Sequence, residues 1–403
     1  MGCRAVDTCR CCGAADLERV LDLGRQPAAN EYVREPVAPT RYPLELFVCR
    51  RCWHNQLGVV VDPDAMFRHY LYVSGTSRTL RDHFAAFARD AVGRGEALPA
   101  RVLDLACNDG TLLAAFKARG CEVVGVDPAA NLVRLARDRG LDVVEGYWPA
   151  ARGAVGGPFD LVTAANVLAH VADPAGFLAA MLDVLAPGGT AVVEFPYAGE
   201  MVLGGEWDTI YHEHLSYFLA GPLLRLAERV GGSVAWILRT PIHGGSLRAG
   251  LRRTGEVHCP EVLALASEEE TLGLYAAETY ARFARGVDAT CRELAGYTEA
   301  LVRAGRRVVG YGASAKGNTL LNRCPLPLAW VADDNPLKHG YLTPGLHLPI
   351  RPAADLAGEP GRLGIVLLAW NFADEILATV RRVRPGAGDE AIRYVPGFGV
   401  TPV

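Results

Sequence analysis

The sequence contains no apolar run of the roughly 18 residues that a membrane-crossing helix requires, so we expect no membrane segment. Its first ten residues, MGCRAVDTCR, contain no apolar stretch of the secretory-signal type, and Val6 occupies the position where an N-myristoylation signal has Ser or Thr. The formal net charge is -4, whereas nucleic-acid-binding proteins usually show a basic footprint. These absences predict a cytoplasmic protein that binds neither nucleic acid nor a membrane, and we expect it to be a monomer.

What the chain does contain is enough apolar material for several hydrophobic cores. With 403 residues it is too long for a single core, and domains of roughly 100–200 residues predict two or three. Half of its residues are hydrophobic and 21% are charged, which is typical of globular enzymes.

The cysteines are unevenly distributed, and two pairs have the spacing of zinc knuckles. Cys9-x-x-Cys12 and Cys49-x-x-Cys52 supply four thiolates, enough for one tetrahedral zinc. Cys11 competes with Cys12 as a ligand, and Cys3 competes with Cys9. Reduced cysteines packed in a small core are the alternative. Zinc is favoured because so short a segment hardly stabilises itself without a staple, and four thiolates leave no open position, so the metal should be structural.

Strands alternate with helical stretches from Ala100 onward. ARVLDLACNDGTLL reads as strand, loop and helix, and CEVVGVDP, FDLVTAANVLAHV and GTAVVEFPY each contain a further strand. This alternation predicts an α/β domain with a parallel, doubly wound sheet.

The loop after the first of these strands has neither the G-x-G-x-x-G nor the Walker pattern. It reads D-L-A-C-N-D-G, and Asp127 ends the next strand, where a carboxylate can accept hydrogen bonds from ribose hydroxyls. A short loop without a pyrophosphate cradle fits class I S-adenosylmethionine (SAM) methyltransferases. NAD binding is the weaker alternative, because the glycines it needs are missing.

A second strand–helix pattern begins at Arg306. A charged, helix-like stretch from Glu261 to about Arg303 precedes it and should link or prop two domains. RRVVGYGASAKGNTLL, LAWVADDNPLKHG and GIVLLAWNFADEI indicate another Rossmann-like sheet, without tight dinucleotide spacing. A helix N-terminus beside Lys316 suits a phosphate. Two such sheets suggest one for the cofactor and one for a nucleotide-bearing substrate.

The stretch TIYHEHLSYF, residues 209–218, places two histidines beside a glutamate and a tyrosine. Neutral histidine is a suitable base near pH 7. A structural histidine in the core and a metal pair are the alternatives, although no third ligand is nearby.

Taken together, these motifs resemble the three-domain C-methyltransferases that act on nucleotide-linked 4-keto-deoxysugars in antibiotic sugar biosynthesis. The matching segments cover nearly the whole chain: CRCCG, VCRRC, LGRQPAANEY, YLYVSGTS, the NDG loop, NVLAHV, GEWDTIYHEHLSYF, IHGGSLR, GYGASAKGN and AWNFADEI.

The resemblance implies three domains. We expect a zinc-binding domain and lid over residues 1–75, a SAM-binding methyltransferase domain over residues 76–250, and linking helices with a C-terminal Rossmann-like sugar-nucleotide-binding domain over residues 251–403. The implied reaction is SAM-dependent C-methylation of a dTDP-4-keto-deoxysugar, at C3 or alternatively C5, through an enolate. An O- or N-methyltransferase and a catalytically idle nucleotide-sugar-binding protein are the other hypotheses.

The site residues follow from the matching motifs. His214 is the expected base, with His212 as the alternative. The groups expected to hold the sugar, orient the base or stabilise the enolate are Glu213, Tyr211, His170 and Tyr72. The expected SAM contacts are Asp104, Ala106, Asn108, Gly110, Asp127, Pro128, Asn131, Asn166 and Val167, although Asp104 is nearly as well explained by a structural role. The expected sugar-nucleotide contacts are Tyr70, His243, Lys316, Asn318, Asn335 and Asn371.

Overall fold

Four β-sheets organise the chain in a computed structural model that describes residues 2–67, 73–95, 98–253 and 257–403. Two of the sheets are small and antiparallel, and two are larger and mostly parallel. Within these described ranges, no helix combines the length and the apolarity that crossing a bilayer requires. The predicted α/β class, with a small N-terminal part followed by two larger, mostly parallel sheets, is confirmed.

The N-terminal part forms the two small sheets. Its elements are β1 (Cys3–Ala5), β2 (Leu17–Gln26), β3 (Tyr42–Cys49), β4 (Asn55–Leu57), β5 (Val59–Val61) and α1 (Pro63–Phe67). β1 pairs with β5, and β3 pairs with both β2 and β4, in each case antiparallel. The alternation of more and less buried residues along β3 is that of a strand with one face on a core.

The central part forms a seven-stranded sheet with helices against both faces. Its strands, with one short strand that joins another sheet, are β6 (Arg101–Leu105), β7 (Glu122–Asp127), β8 (Val143–Glu145), β9 (Phe159–Ala165), β10 (Leu185–Pro196), β11 (Ser216–Tyr217), β12 (Gly232–Thr240) and β13 (Ser246–Arg253). Its helices are α2 (Arg78–Val92), α3 (Thr111–Lys117), α4 (Ala130–Asp138), α5 (Arg152–Val155), α6 (Pro174–Asp183), α7 (Ala198–Leu203) and α8 (Ala220–Arg229).

The strand order of the central sheet is β12-β13-β10-β9-β6-β7-β8. The five strands from β10 to β8 are parallel, and β13 and β12 complete the sheet in antiparallel fashion. Parallel strands covered on both faces are almost continuously apolar, which is why they were visible in the sequence. β10 begins at Leu185, four residues before the predicted strand start at Gly189.

The short strand β11 leaves the central sheet and extends an N-terminal one. Ser216 pairs with Gln56 and Tyr217 pairs with Asn55, both antiparallel. The N-terminal sheet therefore has the order β11-β4-β3-β2. Because β11 follows the YHEH stretch directly, the zinc-binding part fixes one end of that stretch.

Over residues 257–403, the C-terminal part is a six-stranded sheet with four α-helices, of which the first two precede the sheet in the chain. The helices are α9 (Pro260–Thr271), α10 (Ala277–Arg303), α11 (Ala315–Arg323) and α12 (Ala373–Val383). The strands are β14 (Arg307–Tyr311), β15 (Val331–Asp333), β16 (Ile350–Pro352), β17 (Leu363–Leu367), β18 (Glu390–Arg393) and β19 (Gly399–Pro402). The order is β16-β15-β14-β17-β18-β19, parallel except for the last pair.

The predicted helical stretch from Glu261 to Arg303 is divided. α9 ends at Thr271 and α10 begins at Ala277. Gly273 lies between them with φ +74°, a left-handed conformation that glycine adopts without strain. One glycine in a charged stretch is a weak breaker signal, so the sequence indicated one helix where the structure has two.

Candidate functional site

The four cysteines of the two Cys-x-x-Cys pairs come together. Their Sγ atoms all lie within 4.8 Å of one another, with 3.6 Å between Cys9 and Cys52 and 3.6 Å between Cys12 and Cys49. Four thiolates at Zn–S bonds of about 2.3 Å would be roughly 3.8 Å apart. Cys11 is fully buried outside this cluster, so Cys12 is the partner of Cys9.

Both pairs use the same local turn. The N–H of Gly13 donates to the carbonyl of Cys9 at 2.8 Å, and the N–H of Trp53 donates to the carbonyl of Cys49 at 2.7 Å. Each donor residue has a positive φ, +76° at Gly13 and +62° at Trp53. The chain thus folds back over each pair of sulfurs, and the donor set and geometry fit a closed structural zinc.

A single cavity of about 1140 Å³ is lined by residues from the N-terminal, central and C-terminal parts. Sites for one drug-sized ligand measure about 300–1,000 Å³, so this volume suits a pair of ligands. The lining includes the carboxyl ends of β6, β7 and β9 and the turn after β14, which is where doubly wound sheets bind ligands.

Asp127 lines this cavity at the carboxyl end of β7. Its carboxylate accepts the N–H of Asn108 at 2.8 Å through Oδ2 and the N–H of Ala129 at 2.8 Å through Oδ1. Burial raises the pKa of Asp127 to about 6, while these two N–H groups lower it. Each carboxylate oxygen keeps acceptor capacity for a ribose hydroxyl.

The loops around Asp127 are bent sharply toward the cavity. Ala106, Asn108 and Asn166 have φ of +51°, +54° and +57°, which is uncommon for residues with a side chain. Asn166 Oδ1 is buried without a hydrogen-bond partner among the described residues. An acceptor held in this way at a cavity wall fits an ammonium group such as that of SAM.

The cavity lining contains six of the nine residues predicted to contact SAM: Ala106, Asn108, Asp127, Pro128, Asn166 and Val167. The structure places Asp104, Gly110 and Asn131 outside that lining. Asp104 accepts the hydroxyl of Thr163 at 2.6 Å, and burial raises its pKa to about 7. A Cβ on Gly110 would come within 2.3 Å of a Leu141 methyl group, so this glycine serves packing.

Sequence reasoning did not identify an aromatic wall on this side. Tyr147 and Trp148, just after β8, and Phe177 in α6 line the cavity. The available signal was the aromatic pair in EGYWP following a strand.

His214 faces the cavity with a defined hydrogen-bond pattern. Its Nδ1 lies 2.9 Å from the carbonyl oxygen of Thr209, and its Nε2 lies 2.8 Å from the hydroxyl of Tyr211. A carbonyl only accepts, so Nδ1 carries the hydrogen and Nε2 of the neutral ring accepts from Tyr211. Burial lowers the pKa of His214 well below its usual 6.5, with a further contribution from His170.

His170 completes the histidine wall. Its ring lies edge-on to His214 with centroids 4.8 Å apart, and both line the cavity. Burial lowers the pKa of His170 to about 4. Its Nδ1 is buried and has no hydrogen-bond partner within the described ranges.

His212 and Glu213 point away from the cavity. His212 Nε2 donates to the carbonyl of Pro43 at 3.2 Å, and the ring packs edge-on against Tyr42. The carboxylate of Glu213 is buried and accepts the amide of Asn30 at 2.7 Å. Asn30 itself lines the cavity. The structure therefore places His214, and not His212, beside the ligand space.

On the C-terminal side, the cavity lining includes His243, Lys316, Asn335 and Asn371. Asn318 is buried outside it, where its amide donates to the carbonyl of Ala29 at 2.8 Å. The predicted contacts Tyr70 and Tyr72 lie outside the described residues.

Two lining residues on this side had no assigned role in the sequence. The hydroxyl of Tyr32 donates to the carbonyl of Ala313 at 2.6 Å, and Lys338 Nζ donates to the same carbonyl at 2.7 Å. Tyr32 is the last residue of the LGRQPAANEY motif, and this motif was the only feature of the sequence that could have indicated its position at the cavity.

Three family models match consecutive parts of the chain. They describe a zinc binding domain over residues 9–67, a methyltransferase domain over residues 68–234 and a C-methyltransferase C-terminal domain over residues 241–396.

Relatives match over different lengths. The chain is 34% identical over 388 residues to the C-methyltransferase NovU of Streptomyces niveus, covering 93% of this chain and 92% of NovU. It is 38% identical over 119 residues to a ubiquinone biosynthesis O-methyltransferase of Caulobacter sp. (strain K31), covering 27% of this chain and 46% of that enzyme. Among solved structures, magnesium protoporphyrin IX methyltransferase of Synechocystis PCC 6803 with bound SAM superposes with a TM-score of 0.35 at 14% identity, covering 43% of this chain and 79% of that one. The similarity to NovU includes all three matched parts.

Proposed function

The chain belongs to the family of SAM-dependent C-methyltransferases that includes NovU, with a zinc-binding N-terminal domain, and we propose that it methylates a ring carbon of a nucleotide-linked 4-keto-deoxysugar. The carbon is C3, next to the ketone, and the nucleotide is dTDP. Carbon is a poor nucleophile until a proton next to a carbonyl is removed and the negative charge spreads onto oxygen. The site must therefore provide a base beside the substrate.

One observation carries this proposal. In a cavity shared with the Asp127 loop, His214 presents a neutral imidazole whose Nδ1–H is fixed on the carbonyl of Thr209. The remaining lone pair, on Nε2, is the one that can accept a proton from carbon. Because burial lowers the pKa of His214, the ring is neutral at pH 7 and ready to act.

Asp127 and Asn166 are the groups that we propose hold the cofactor, through its ribose hydroxyls and its ammonium group respectively. When bound, SAM supplies a methyl carbon made electrophilic by a positively charged sulfur. The bent loop at Ala106 and Asn108 and the aromatic side chain of Trp148 line the same part of the cavity.

The remaining polar residues position the sugar. Tyr211 holds Nε2 of His214 until a substrate binds, and then transfers its hydroxyl hydrogen bond to the sugar. His170, whose ring lies beside His214 in the cavity wall, would hold a sugar hydroxyl. Glu213 acts at one remove, because its carboxylate orients the amide of Asn30 at the cavity wall.

The nucleotide is proposed to bind at the carboxyl edge of the C-terminal sheet. Asn335 and Asn371 line the cavity there, as does Lys338, which follows β15 and donates to the carbonyl of Ala313 in the turn after β14. A negatively charged diphosphate between the sugar and the nucleoside would find a compact cation in Lys338. Thus the ketone of the sugar would lie toward His214, and the nucleobase of dTDP would lie toward the C-terminal sheet.

Turnover with a panel of dTDP-4-keto-deoxysugars and SAM tests this function. We expect a product with a new carbon-bound methyl group at C3, read by NMR. A product methylated on oxygen or nitrogen would show that the reaction class is wrong. A product methylated at C5 would show that C5, and not C3, is the reacting carbon. SAM binding without turnover of any keto sugar would contradict the substrate assignment.

A further inference from the structure

Lysine is rare in this chain, and two of the few lysines line the cavity. Only three lysines occur among the 41 lysines and arginines. Lys316 and Lys338 contribute to the cavity, whereas Lys117 is exposed on α3. Lysine offers a compact ammonium, and arginine offers a planar fork. A chain that uses arginine almost everywhere thus has a point charge at two places in its ligand site.

Lys316 lies on the side of the cavity where α11 meets the short turn that precedes His214. Its Nζ donates to the carbonyl of His243 at 3.2 Å and lies 4.0 Å from the centroid of the Trp370 ring. α11, which carries Lys316, packs against the 3₁₀ turn Trp207–Thr209. Thr209 is the residue whose carbonyl holds His214.

Two buried carboxylates stand behind Lys316. Asp208 is fully buried and accepts Trp370 Nε1 at 2.8 Å and the hydroxyl of Tyr394 at 2.6 Å. Glu206 lies against the same indole, because a Cβ on Gly244 would stand 2.5 Å from Glu206 Oε1 and 2.7 Å from the Trp370 ring. Both carboxylates favour the charged form of Lys316, whose pKa burial lowers.

Lys338 has different surroundings. Its Nζ donates to the carbonyl of Ala313 at 2.7 Å, lies 3.9 Å from Asp333 Oδ2 and is 5.3 Å from the Tyr32 ring. These partners belong to the carboxyl edge of the C-terminal sheet and to the loop from the zinc-binding part. The two cations therefore have different partners within one cavity.

We propose that Lys316 is a catalytic residue that stabilises the enolate oxygen, and that Lys338 is the phosphate-facing cation. This inference rests on the proposed function. His214 Nε2 accepts the proton from the carbon next to the ketone, and the electron pair of that C–H bond becomes the carbon–carbon double bond. The carbonyl π pair then resides on oxygen, where Lys316 Nζ faces it. The carbon–carbon π pair would then form the bond to the methyl group of bound SAM, the pair of the broken methyl–sulfur bond would stay on the departing thioether, and an oxygen pair would re-form the ketone.

The pairing of a cation with a neutral base is consistent with this order of events. The positive charge of Lys316 lowers the pKa of His214, in addition to the effect of burial. Before reaction, the ammonium therefore keeps the imidazole unprotonated and able to act as a base. After proton transfer, the negative charge of the enolate oxygen lies close to the ammonium of Lys316 and to the protonated imidazole of His214, and both interactions stabilise it.

The test compares Lys316→Met, Lys316→Arg and Lys338→Met, with Lys117→Met as a matched control outside the cavity. Three quantities are measured: turnover, the affinity for dTDP alone, and deuterium exchange from solvent into the carbon next to the ketone without SAM. For Lys316→Met we expect turnover and exchange to fall about 10²–10³-fold, the range seen when an oxyanion donor is removed, with unchanged dTDP affinity. Lys316→Arg should recover part of both rates. Lys338→Met should weaken dTDP binding, and Lys117→Met should resemble the unmodified enzyme.

Several results would overturn the inference. If Lys316→Met weakened dTDP binding while exchange at saturating substrate stayed normal, Lys316 would be a phosphate ligand. SAM affinity reports folding, and if Lys316→Met lost it, Lys316→Gln would decide, since a fold-competent Gln variant with normal dTDP affinity and unimpaired exchange also contradicts the role. If the unmodified enzyme methylates carbon normally but the variants do not behave as predicted, the role of Lys316 is wrong and the proposed function stays intact. If the unmodified enzyme neither exchanges nor methylates, both proposals fail.

Discussion

At the scale of single residues, the decisive feature is the tautomer of His214. The carbonyl of Thr209, 2.9 Å from Nδ1, determines which nitrogen carries the hydrogen. The lone pair is thereby directed to Nε2, which the hydroxyl of Tyr211 contacts at 2.8 Å. A base prepared in this way needs no reorganisation before it accepts a proton, apart from release of the tyrosine hydroxyl.

Replacing Tyr211 with Phe separates two roles that the geometry allows. If the phenol only holds His214 and the sugar, Tyr211→Phe should reduce turnover about tenfold, far less than the ~10²–10⁴-fold attributed to a general base. Steady-state kinetics of Tyr211→Phe and His214→Ala, measured side by side, provide the comparison. Equal losses in the two variants would instead make the phenol the group that removes the proton.

The pH dependence of kcat/KM follows from the lowered pKa of His214. A base must be unprotonated, so activity is lost as pH falls through the pKa of the base in the free enzyme. Because the pKa of His214 lies well below 6.5, kcat/KM should stay level from pH 8 to pH 6.5 and decline only at lower pH. An acid limb centred at or above pH 6.5 would contradict the neutral, buried base.

Some site residues followed from the sequence and others did not. The position of Asp127 and His214 at the cavity was predictable, because one ends a buried strand and the other belongs to a polar cluster in an apolar stretch. Asn318 was expected at the substrate, yet it holds Ala29 at the interface with the N-terminal part. The motif predicts the helix that carries Asn318, but it does not predict which part of the chain packs against each face of that helix. For the same reason, the sequence did not predict that Lys338 would line the cavity.

At the scale of elements, the segment of residues 206–218 is held by all three parts of the chain. β11 at its end pairs with β4 of the zinc-binding part. The N–H of Leu215 donates to the carbonyl of Ala169 in the central part at 2.7 Å. Asp208 accepts hydrogen bonds from Trp370 and Tyr394 of the C-terminal part. Misplacing any of the three should therefore move the catalytic groups.

Loss of zinc should reach the active site through β4 and β11. Cys12→Ser removes one of four thiolates, and we expect zinc to fall from about one per chain to near zero, with lower thermal stability and at least about tenfold lower turnover. Atomic absorption, thermal unfolding and kinetics measure these effects, and Cys3→Ser, at an exposed cysteine outside the cluster, is the matched control. Stoichiometric zinc in Cys12→Ser would show that Cys12 is not required as a ligand.

The parallel strands were predictable as elements, and the pairing of β11 was not. β6, β9 and β17 are continuous apolar runs bounded by turn residues, which a sequence displays directly. β11 has only two residues and pairs with a strand about 160 positions earlier in the chain. No local pattern encodes such a contact, since it depends on how two domains pack.

At the scale of the whole molecule, the active site exists only where the three parts meet. The sequence predicted two Rossmann-like sheets and a zinc-binding lid, and the structure brings loops of all three parts together around one cavity of about 1140 Å³. In this arrangement the central sheet, the C-terminal sheet and the N-terminal part all contribute to the cavity wall, the last of them through Asn30 and Tyr32. The chemistry of one imidazole thus depends on contacts that run through the entire chain.

The most direct test of the account is deuterium exchange into the carbon next to the ketone of a dTDP-4-keto-deoxysugar, measured by NMR without SAM. The unmodified enzyme and a His212→Gln variant with intact SAM binding should both exchange that hydrogen. His214→Ala should exchange it about 10²–10⁴ times more slowly while binding SAM normally. Exchange at the normal rate in His214→Ala would contradict the assignment of His214 as the base.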